Sequence, residues 1–220
     1  MKHIKAVIFD LDGTLADTLA DLAASANYAL KALGYPEHEV EEYRYFVGNG
    51  IPVMLGRASG AGNDPDTVQR LREKFMEHYR VHFCDNTSVY SGMPDAVLKL
   101  REWGIKTAVV TNKADGMAKT MVEKLYPGLF DMVVGQIDGI PCKPDPKVTL
   151  SVMSKLGVVP EECVFLGDSD ADMQTALNCG AYGAGALWGF RTREELLCNG
   201  AKALLESPDK LVDLIKSIND

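Results

Sequence analysis

The sequence lacks an apolar run long enough to cross a membrane. No stretch of the 220 residues approaches the ~20 consecutive apolar residues that a spanning helix needs. The apolar run near the N-terminus stops at Asp10, which is too short for the core of a signal peptide. We therefore expect no membrane partner.

Cysteine is scarce, and its spacing does not predict a cross-link. The five cysteines are scattered, odd in number and contain no C-x-x-C pair. This pattern argues against both a disulfide framework and a structural zinc site. Free thiols suit a reducing cytosol, so we expect a cytoplasmic protein.

Long blocks of one charge are also missing. The 23 basic and 31 acidic residues give a net charge of −8 spread along the chain, which argues against nucleic acid as a partner. With 20 glycines, 10 prolines and 46% hydrophobic residues, the composition is neither collagen-like nor typical of a disordered chain. A chain of this length can bury a core as one large domain or as a main domain carrying a smaller one.

Short apolar runs bounded by polar residues or glycine predict buried strands. They lie at 4–9, 106–110, 131–134, 163–166 and, more weakly, 183–187. Between most of them lie stretches of helical period, such as 94–103 and 147–156, each followed by a glycine suited to a C-terminal cap. The alternation predicts an α/β fold in which a parallel sheet is flanked by helices.

One interval is much too long for a single crossover helix. It runs from 10 to 105, and helical periodicity dominates from about 17 to 80. We therefore predict a small helical domain inserted after the first strand. The predicted bounds are 16–85 for this domain and 1–15 with 86–220 for the core.

Polar residues follow each of these strands, where open parallel sheets bind ligands. The segments are Asp10-Leu11-Asp12-Gly13-Thr14, then Thr111-Asn112-Lys113, then Cys142-Lys143-Pro144 before a helix, and then Gly167-Asp168-Ser169-Asp170-Ala171-Asp172.

The residue types in these segments point to phosphoryl chemistry. Asp10, Asp12 and Asp168 offer hard oxygen ligands that suit Mg²⁺. The metal and Lys143 would neutralise the clustered carboxylates and attract a phosphate dianion. A first carboxylate can attack phosphorus, while a second, two residues later, protonates the leaving oxygen and then activates water.

Neutral donors complete the pattern. The Thr111 hydroxyl and the Asn112 amide can donate to the phosphate oxygens, which carry the charge of the transition state.

The four ordered segments resemble the motifs of the haloacid dehalogenase-like hydrolase superfamily over nearly the whole chain. The resemblance implies a Rossmann-like core, a Mg²⁺-dependent phosphotransferase mechanism and a helical cap domain. It also implies these roles: Asp10 as nucleophile and metal ligand, Asp12 as acid/base and metal ligand through its backbone carbonyl, Thr111 and Lys143 on the phosphoryl group, Asp168 on Mg²⁺, and Asp172 in the surroundings of the metal or on it through water.

Within the superfamily the sequence is similar to the phosphoglycolate phosphatase branch. The turn Gly48-Asn49-Gly50 is a candidate specificity loop for a small carboxylate, with a plain turn between helices as the alternative. Arg57 is a candidate partner for an acidic substrate, with an exposed arginine as the alternative.

The leading hypothesis is a phosphatase for a small phosphomonoester such as 2-phosphoglycolate, acting as a monomer or homodimer. Other phosphorylated metabolites remain open as substrates, among them pyrophosphate, nucleoside monophosphates and sugar phosphates. A sugar phosphomutase and a non-catalytic binding module are the further alternatives.

Overall fold

The run Ala-Val-Ile-Phe at 6–9 has no polar residue on either face, and all four side chains are buried. In the computed structural model this run is an inner strand of a parallel sheet, paired on both sides. The structure describes residues 2–62 and 64–220.

The strands follow the chain in this order: β1 (Ala6–Phe9), β2 (Ala16–Asp17), β3 (Ser88–Val89), β4 (Lys106–Ala114), β5 (Met132–Gln136), β6 (Cys163–Gly167), β7 (Tyr182–Ala186) and β8 (Ala203–Leu205). Six of those in the described ranges form one parallel sheet in the order β5-β4-β1-β6-β7-β8, and β2 pairs with β3. This architecture confirms the predicted α/β fold with its parallel sheet.

The helices, in chain order, are α1 (Leu19–Ala32), α2 (Tyr43–Phe46), α3 (Ile51–Ser59), α4 (Pro65–His82), α5 (Met93–Glu102), α6 (Asp115–Leu125), α7 (Lys147–Leu156), α8 (Asp170–Cys179), α9 (Arg193–Cys198) and α10 (Asp209–Asn219). Among the residues described, no helix combines the length and apolarity that a bilayer crossing demands. All five cysteines are free thiols.

Strand register brings the polar segments to one edge of the sheet. Phe9 at the end of β1 lies opposite Val109 of β4 and Leu166 of β6. Side chains of alternate residues, such as Ala6 and Ile8, pack on one face with residues from α7 and α8. The residues that follow Phe9, Val110 and Gly167 therefore meet beyond the carboxyl ends of three neighbouring strands.

The chain divides into two compact units. One comprises the chain up to Ala16 together with Val89–Asp220, and the other is Asp17–Ser88. The divisions fall after 16 and after 88, whereas the sequence placed them after 15 and after 85. The first unit contains the parallel sheet, and the second contains α1 to α4.

In the helical unit, Asp21 ties the first turn of α1 to the segment that follows α4. Its carboxylate accepts hydrogen bonds from the backbone N–H groups of Asn86 and Thr87, at 2.9–3.1 Å, and from both of their side chains. Asp21 is only 2% exposed. Removing the carboxylate would delete the buried, charged acceptor that all of these hydrogen bonds share, which is costly.

We predict that Asp21→Ala lowers the free energy of unfolding by about 2–4 kcal/mol, because several charge-assisted hydrogen bonds are lost together. The matched control is Asp66→Ala, an exposed acid in the first turn of α4, which should cost less than about 1 kcal/mol. Urea unfolding of both variants measures the difference. Equal losses would contradict the bracing role of Asp21.

Candidate active site

Three buried carboxylates converge beyond the ends of β1 and β6. One oxygen atom from each of Asp10, Asp168 and Asp172 lies within 4.8 Å of the others. The backbone N–H of Asp10 donates to Leu166 O at 2.9 Å, so the first turn after β1 is still attached to β6. The ends of β1 and β6 therefore place Asp10 and Asp168, and α8 adds Asp172.

Both carboxylate oxygens of Asp168 accept hydrogen bonds. Thr14 Oγ1 donates to Oδ1 at 2.9 Å, and the backbone N–H of Phe190 donates to Oδ2 at 2.8 Å. A side chain at either Gly13 or Gly189 would collide with Asp168, and Gly13 also has a φ of 86°. Glycine is thus needed on both sides of this carboxylate.

Asp172 is held by the start of α8. Ser169 caps the helix, and its backbone N–H and hydroxyl donate to Asp172 Oδ2 at 3.0 and 2.6 Å. The other oxygen, Oδ1, lies 2.6 Å from Lys143 Nζ. A Cβ atom at Gly167 would collide with Asp172, so this glycine also makes room for a carboxylate.

Lys143 joins two of the carboxylates. Its ammonium lies 2.8 Å from Asp10 Oδ1 and 2.6 Å from Asp172 Oδ1, and its side chain is 3% exposed. Burial alone would lower the pKa of Lys143, but the charges of Asp10 and Asp172 raise it above its usual range. This residue is therefore a fixed positive charge.

Asn112 holds the backbone of Lys143. Its Oδ1 accepts from Lys143 N–H at 2.9 Å, and its Nδ2 donates to Lys143 O at 3.3 Å. The structure thus places the Asn112 amide on the main chain of Lys143, and its predicted contact with phosphate stays a prediction. Thr111 follows Val110, where the pairing of β4 with β5 becomes irregular. Its hydroxyl oxygen accepts a hydrogen bond from the backbone N–H of Lys113 at 3.2 Å.

The sequence did not nominate Lys113, yet its ammonium donates to Asp12 Oδ1 at 2.9 Å. The Lys113 side chain is 2% exposed and the Asp12 side chain 21%. The sequence signal for this residue was a lysine close to the end of a predicted buried strand. Because lysines are so often exposed, the triplet Thr111-Asn112-Lys113 alone did not indicate a buried lysine.

The charges of the cluster are unbalanced when all of its groups are ionised. It contains four carboxylates and two ammonium groups: Asp10, Asp12, Asp168 and Asp172 against Lys113 and Lys143.

Burial, together with the charge of Asp172, raises the pKa of Asp10 from 3.8 to about 7, although Lys143 partly offsets the effect. Burial and then the charges of Asp172 and Asp10 likewise raise the pKa of Asp168. Hard oxygen donors with excess negative charge fit a divalent cation. The structure thus provides a buried aspartate cluster that could hold one.

In the helical unit, Arg57 and the predicted specificity loop contact each other. The guanidinium donates to Asn49 Oδ1 at 2.9 Å and to the carbonyl oxygens of residues 45 and 46. Gly48 and Gly50, with φ values of 111° and 88°, allow the chain to turn on either side of Asn49. Arg57 therefore braces this loop.

Comparison with known proteins identifies the family. Residues 7–186 match the profile of haloacid dehalogenase-like hydrolases. The chain belongs to this family. The resemblance predicted from the four ordered motifs is therefore confirmed.

Related proteins extend the likeness over the whole chain. A phosphoglycolate phosphatase from Chromobacterium violaceum is 35% identical over 99% of this chain and 99% of its own. An N-acetylmuramic acid 6-phosphate phosphatase from Pseudomonas aeruginosa is 30% identical over 97% of this chain and 95% of its own. A solved structure from Lactobacillus delbrueckii, proposed to be a phosphoglycolate phosphatase, has a TM-score of 0.90 at 34% identity and covers 98% of this chain and 99% of its own.

The raised pKa of Asp10 predicts how stability depends on pH without metal. Because its folded-state pKa of about 7 lies above its ordinary value of 3.8, the folded protein binds this proton more tightly than the unfolded chain. Stability should therefore fall as pH rises from about 4 to about 7. We expect the Tm in EDTA to drop by about 3–8 °C between pH 5 and 8, and Mg²⁺ at pH 8 to reverse the drop.

Asp10→Asn is the control for this pH dependence, because asparagine does not titrate in the range. Thermal unfolding in EDTA should show a much smaller drop between pH 5 and 8 for the variant. The same drop in both proteins would contradict the assignment to Asp10.

Gly189 offers a test of the packing around Asp168. In Gly189→Ala the new Cβ would collide with Asp168 and lie 2.5 Å from Gly13 O, so we expect a loss of about 1–3 kcal/mol in stability and at least 10-fold weaker Mg²⁺ binding. Calorimetric titration measures the affinity. Gly116→Ala in α6, where the new Cβ meets no atom within 4 Å outside the local helix backbone, should leave Mg²⁺ affinity unchanged and should not lower stability. Unchanged Mg²⁺ affinity in Gly189→Ala would count against this packing constraint.

Proposed function

We propose that the protein is a Mg²⁺-dependent phosphomonoester phosphatase that acts on a small phosphorylated acid such as 2-phosphoglycolate. The observation that carries the proposal is the buried Asp10 carboxylate, 2.8 Å from the fixed ammonium of Lys143 and beside Asp168 and Asp172. This is the arrangement expected of a nucleophile beside a phosphate-binding cation.

In the first step Asp10 attacks phosphorus. The phosphorus–oxygen bond to the leaving group breaks as the bond to the Asp10 oxygen forms, which gives an aspartyl-phosphate. Asp12 donates its proton to the leaving alkoxide, which departs as an alcohol. Lys143 stabilises the charge on the transferring phosphoryl oxygens, with the Thr111 hydroxyl as a further donor.

In the second step water attacks the same phosphorus. Asp12, ionised by the first step, accepts a proton from the water, and the bond between phosphorus and the Asp10 oxygen breaks. Inorganic phosphate leaves, and Asp10 returns as a carboxylate. The two steps together consume one water and restore both aspartates.

Mg²⁺ fits the excess negative charge of the aspartate cluster. We propose that Asp10, Asp168 and the backbone carbonyl of Asp12 hold the ion, with Asp172 beside it. When bound, it supplies positive charge that offsets the repulsion between the phosphate and the carboxylates. The Asn112 amide fixes the backbone of Lys143, and its direct contact with phosphate stays a prediction.

The proposed substrate class rests on the named relatives. Both names describe a phosphate ester of a carboxylic acid, phosphoglycolate in one and N-acetylmuramic acid 6-phosphate in the other. The second relative makes a larger sugar-acid phosphate the specific alternative. The turn Gly48-Asn49-Gly50 and Arg57 stay predicted specificity residues.

Partner and location complete the proposal. The small phosphomonoester is the proposed ligand, and we propose a cytoplasmic enzyme that acts as a monomer or homodimer. The five free thiols are consistent with a reducing compartment.

A phosphate-release screen with Mg²⁺ tests the substrate. We expect kcat/KM for 2-phosphoglycolate to exceed the values for pyrophosphate, nucleoside monophosphates and neutral sugar phosphates by at least about 10-fold. A preference for N-acetylmuramic acid 6-phosphate would favour the alternative substrate. Conversion of a sugar 1-phosphate without phosphate release would overturn the hydrolase in favour of a mutase.

Asp10→Asn tests the nucleophile. Because an amide cannot form the acyl-phosphate, we expect turnover to fall by more than about 1,000-fold, while the circular dichroism spectrum stays unchanged. Asp170→Asn is the matched control: this half-exposed acid begins α8 and takes no part in the proposed chemistry. Undiminished activity in Asp10→Asn would exclude the aspartyl-phosphate.

A further inference from the structure

Lys113 is buried beside the proposed acid/base, although the mechanism above gives it no part. Its side chain is 2% exposed, and its ammonium donates to Asp12 Oδ1 at 2.9 Å. Burying an ammonium is costly unless it is paired and hydrogen-bonded. The contact with Asp12 offsets part of that cost.

The end of β4 places Lys113 with little freedom. The pairing of β4 with β5 shifts register between Val110 and Ala114, and such irregularities re-aim side chains. Lys113 N–H donates to Thr111 Oγ1 at 3.2 Å. A Cβ atom on Gly135 of β5 would lie 2.5 Å from Lys113 O, so the two strands approach closely at this point.

Asp12 has more freedom than its partner. It lies in the turn after β1, and 21% of its side chain is open to solvent. A carboxylate with solvent access can rotate and exchange partners with water, whereas proton transfer needs a fixed donor close to the leaving oxygen. A hydrogen bond from a buried ammonium to Oδ1 fixes the carboxylate and leaves Oδ2 on its opposite edge.

We infer that Lys113 is a positioning residue, which holds the Asp12 carboxylate in place for proton transfer to the leaving oxygen. The inference rests on the proposed phosphatase mechanism and deepens it. Lys113 acts through Asp12, while Lys143 serves Asp10 and the phosphoryl group. The two buried ammonium groups thus have separate tasks.

Leaving-group dependence distinguishes this role from phosphate binding and from support of the fold. An alkyl phosphate needs its leaving oxygen protonated, whereas p-nitrophenyl phosphate releases a phenolate that needs no proton. The ratio kcat/KM covers the steps up to the release of this group. Loss of a positioned acid lowers kcat/KM for the alkyl ester selectively, while loss of a phosphate ligand lowers it for both esters.

The experiment compares Lys113→Met with the unchanged protein on the best alkyl phosphate of the screen and on p-nitrophenyl phosphate. We expect kcat/KM to fall about 100-fold for the alkyl ester and less than about 3-fold for the aryl ester. Lys113→Arg, which keeps a donor, should recover part of the alkyl activity. Lys119→Met is the matched control: it removes an exposed lysine from a 2.7 Å pair with Asp115 and should change neither value.

A double-mutant cycle with Asp12→Asn completes the test. If Lys113 acts through Asp12, Lys113→Met should cost less than about 3-fold more for the alkyl ester once Asp12 is already asparagine. Equal losses for both esters, or full additivity in the cycle, would overturn the positioning role. If Asp12→Asn itself shows no preference for the aryl ester, the proposed acid/base mechanism fails instead, so the two failures are distinguishable.

Discussion

The repulsion among buried carboxylates is the constraint on which the site depends. Asp10, Asp168 and Asp172 present oxygen atoms within 4.8 Å of one another in a part of the protein that water barely reaches. Desolvation and mutual repulsion both favour protonation of these carboxylates, and both raise the pKa of Asp10. A nucleophile must instead be ionised, so a catalytic form of this cluster requires cations close to it.

The surrounding structure supplies part of that charge and fixes the geometry. Lys143 provides a permanent positive charge, and Asn112 holds its backbone in place. Glycines allow the carboxylates to pack closely, since side chains at Gly13 or Gly189 would collide with Asp168. Lys143 thus offsets part of the repulsion and the glycines permit one close arrangement, and the remaining excess of negative charge makes a divalent cation the fitting partner.

The sequence predicts the sheet and the positions of the four motifs well, because apolar runs and the polar residues after them are local signals. Helix 147–156 was predicted with the bounds observed. Strand β8, three residues long and only partly buried, lacks such a signal. Two contacts were also not predicted: the hydrogen bond from Phe190 N–H to Asp168 and the contact between Lys113 and Asp12. The first joins residues 22 positions apart in the sequence and the second joins residues 101 positions apart, so both depend on tertiary structure. For the same reason, the sequence could not reveal that the Asn112 amide is directed to a backbone.

The two lysines show why composition is a poor guide to a site. A net charge of −8 describes the whole chain, but the two ammonium groups nearest to the proposed chemistry are both almost wholly buried. In the proposed mechanism, Lys143 faces the carboxylate that attacks phosphorus, and Lys113 faces the carboxylate that exchanges a proton. A buried charge cannot move to serve both, so two chemical roles in one small space require two separately anchored cations. The fold provides them from different segments, one near the end of β4 and the other in the loop before α7.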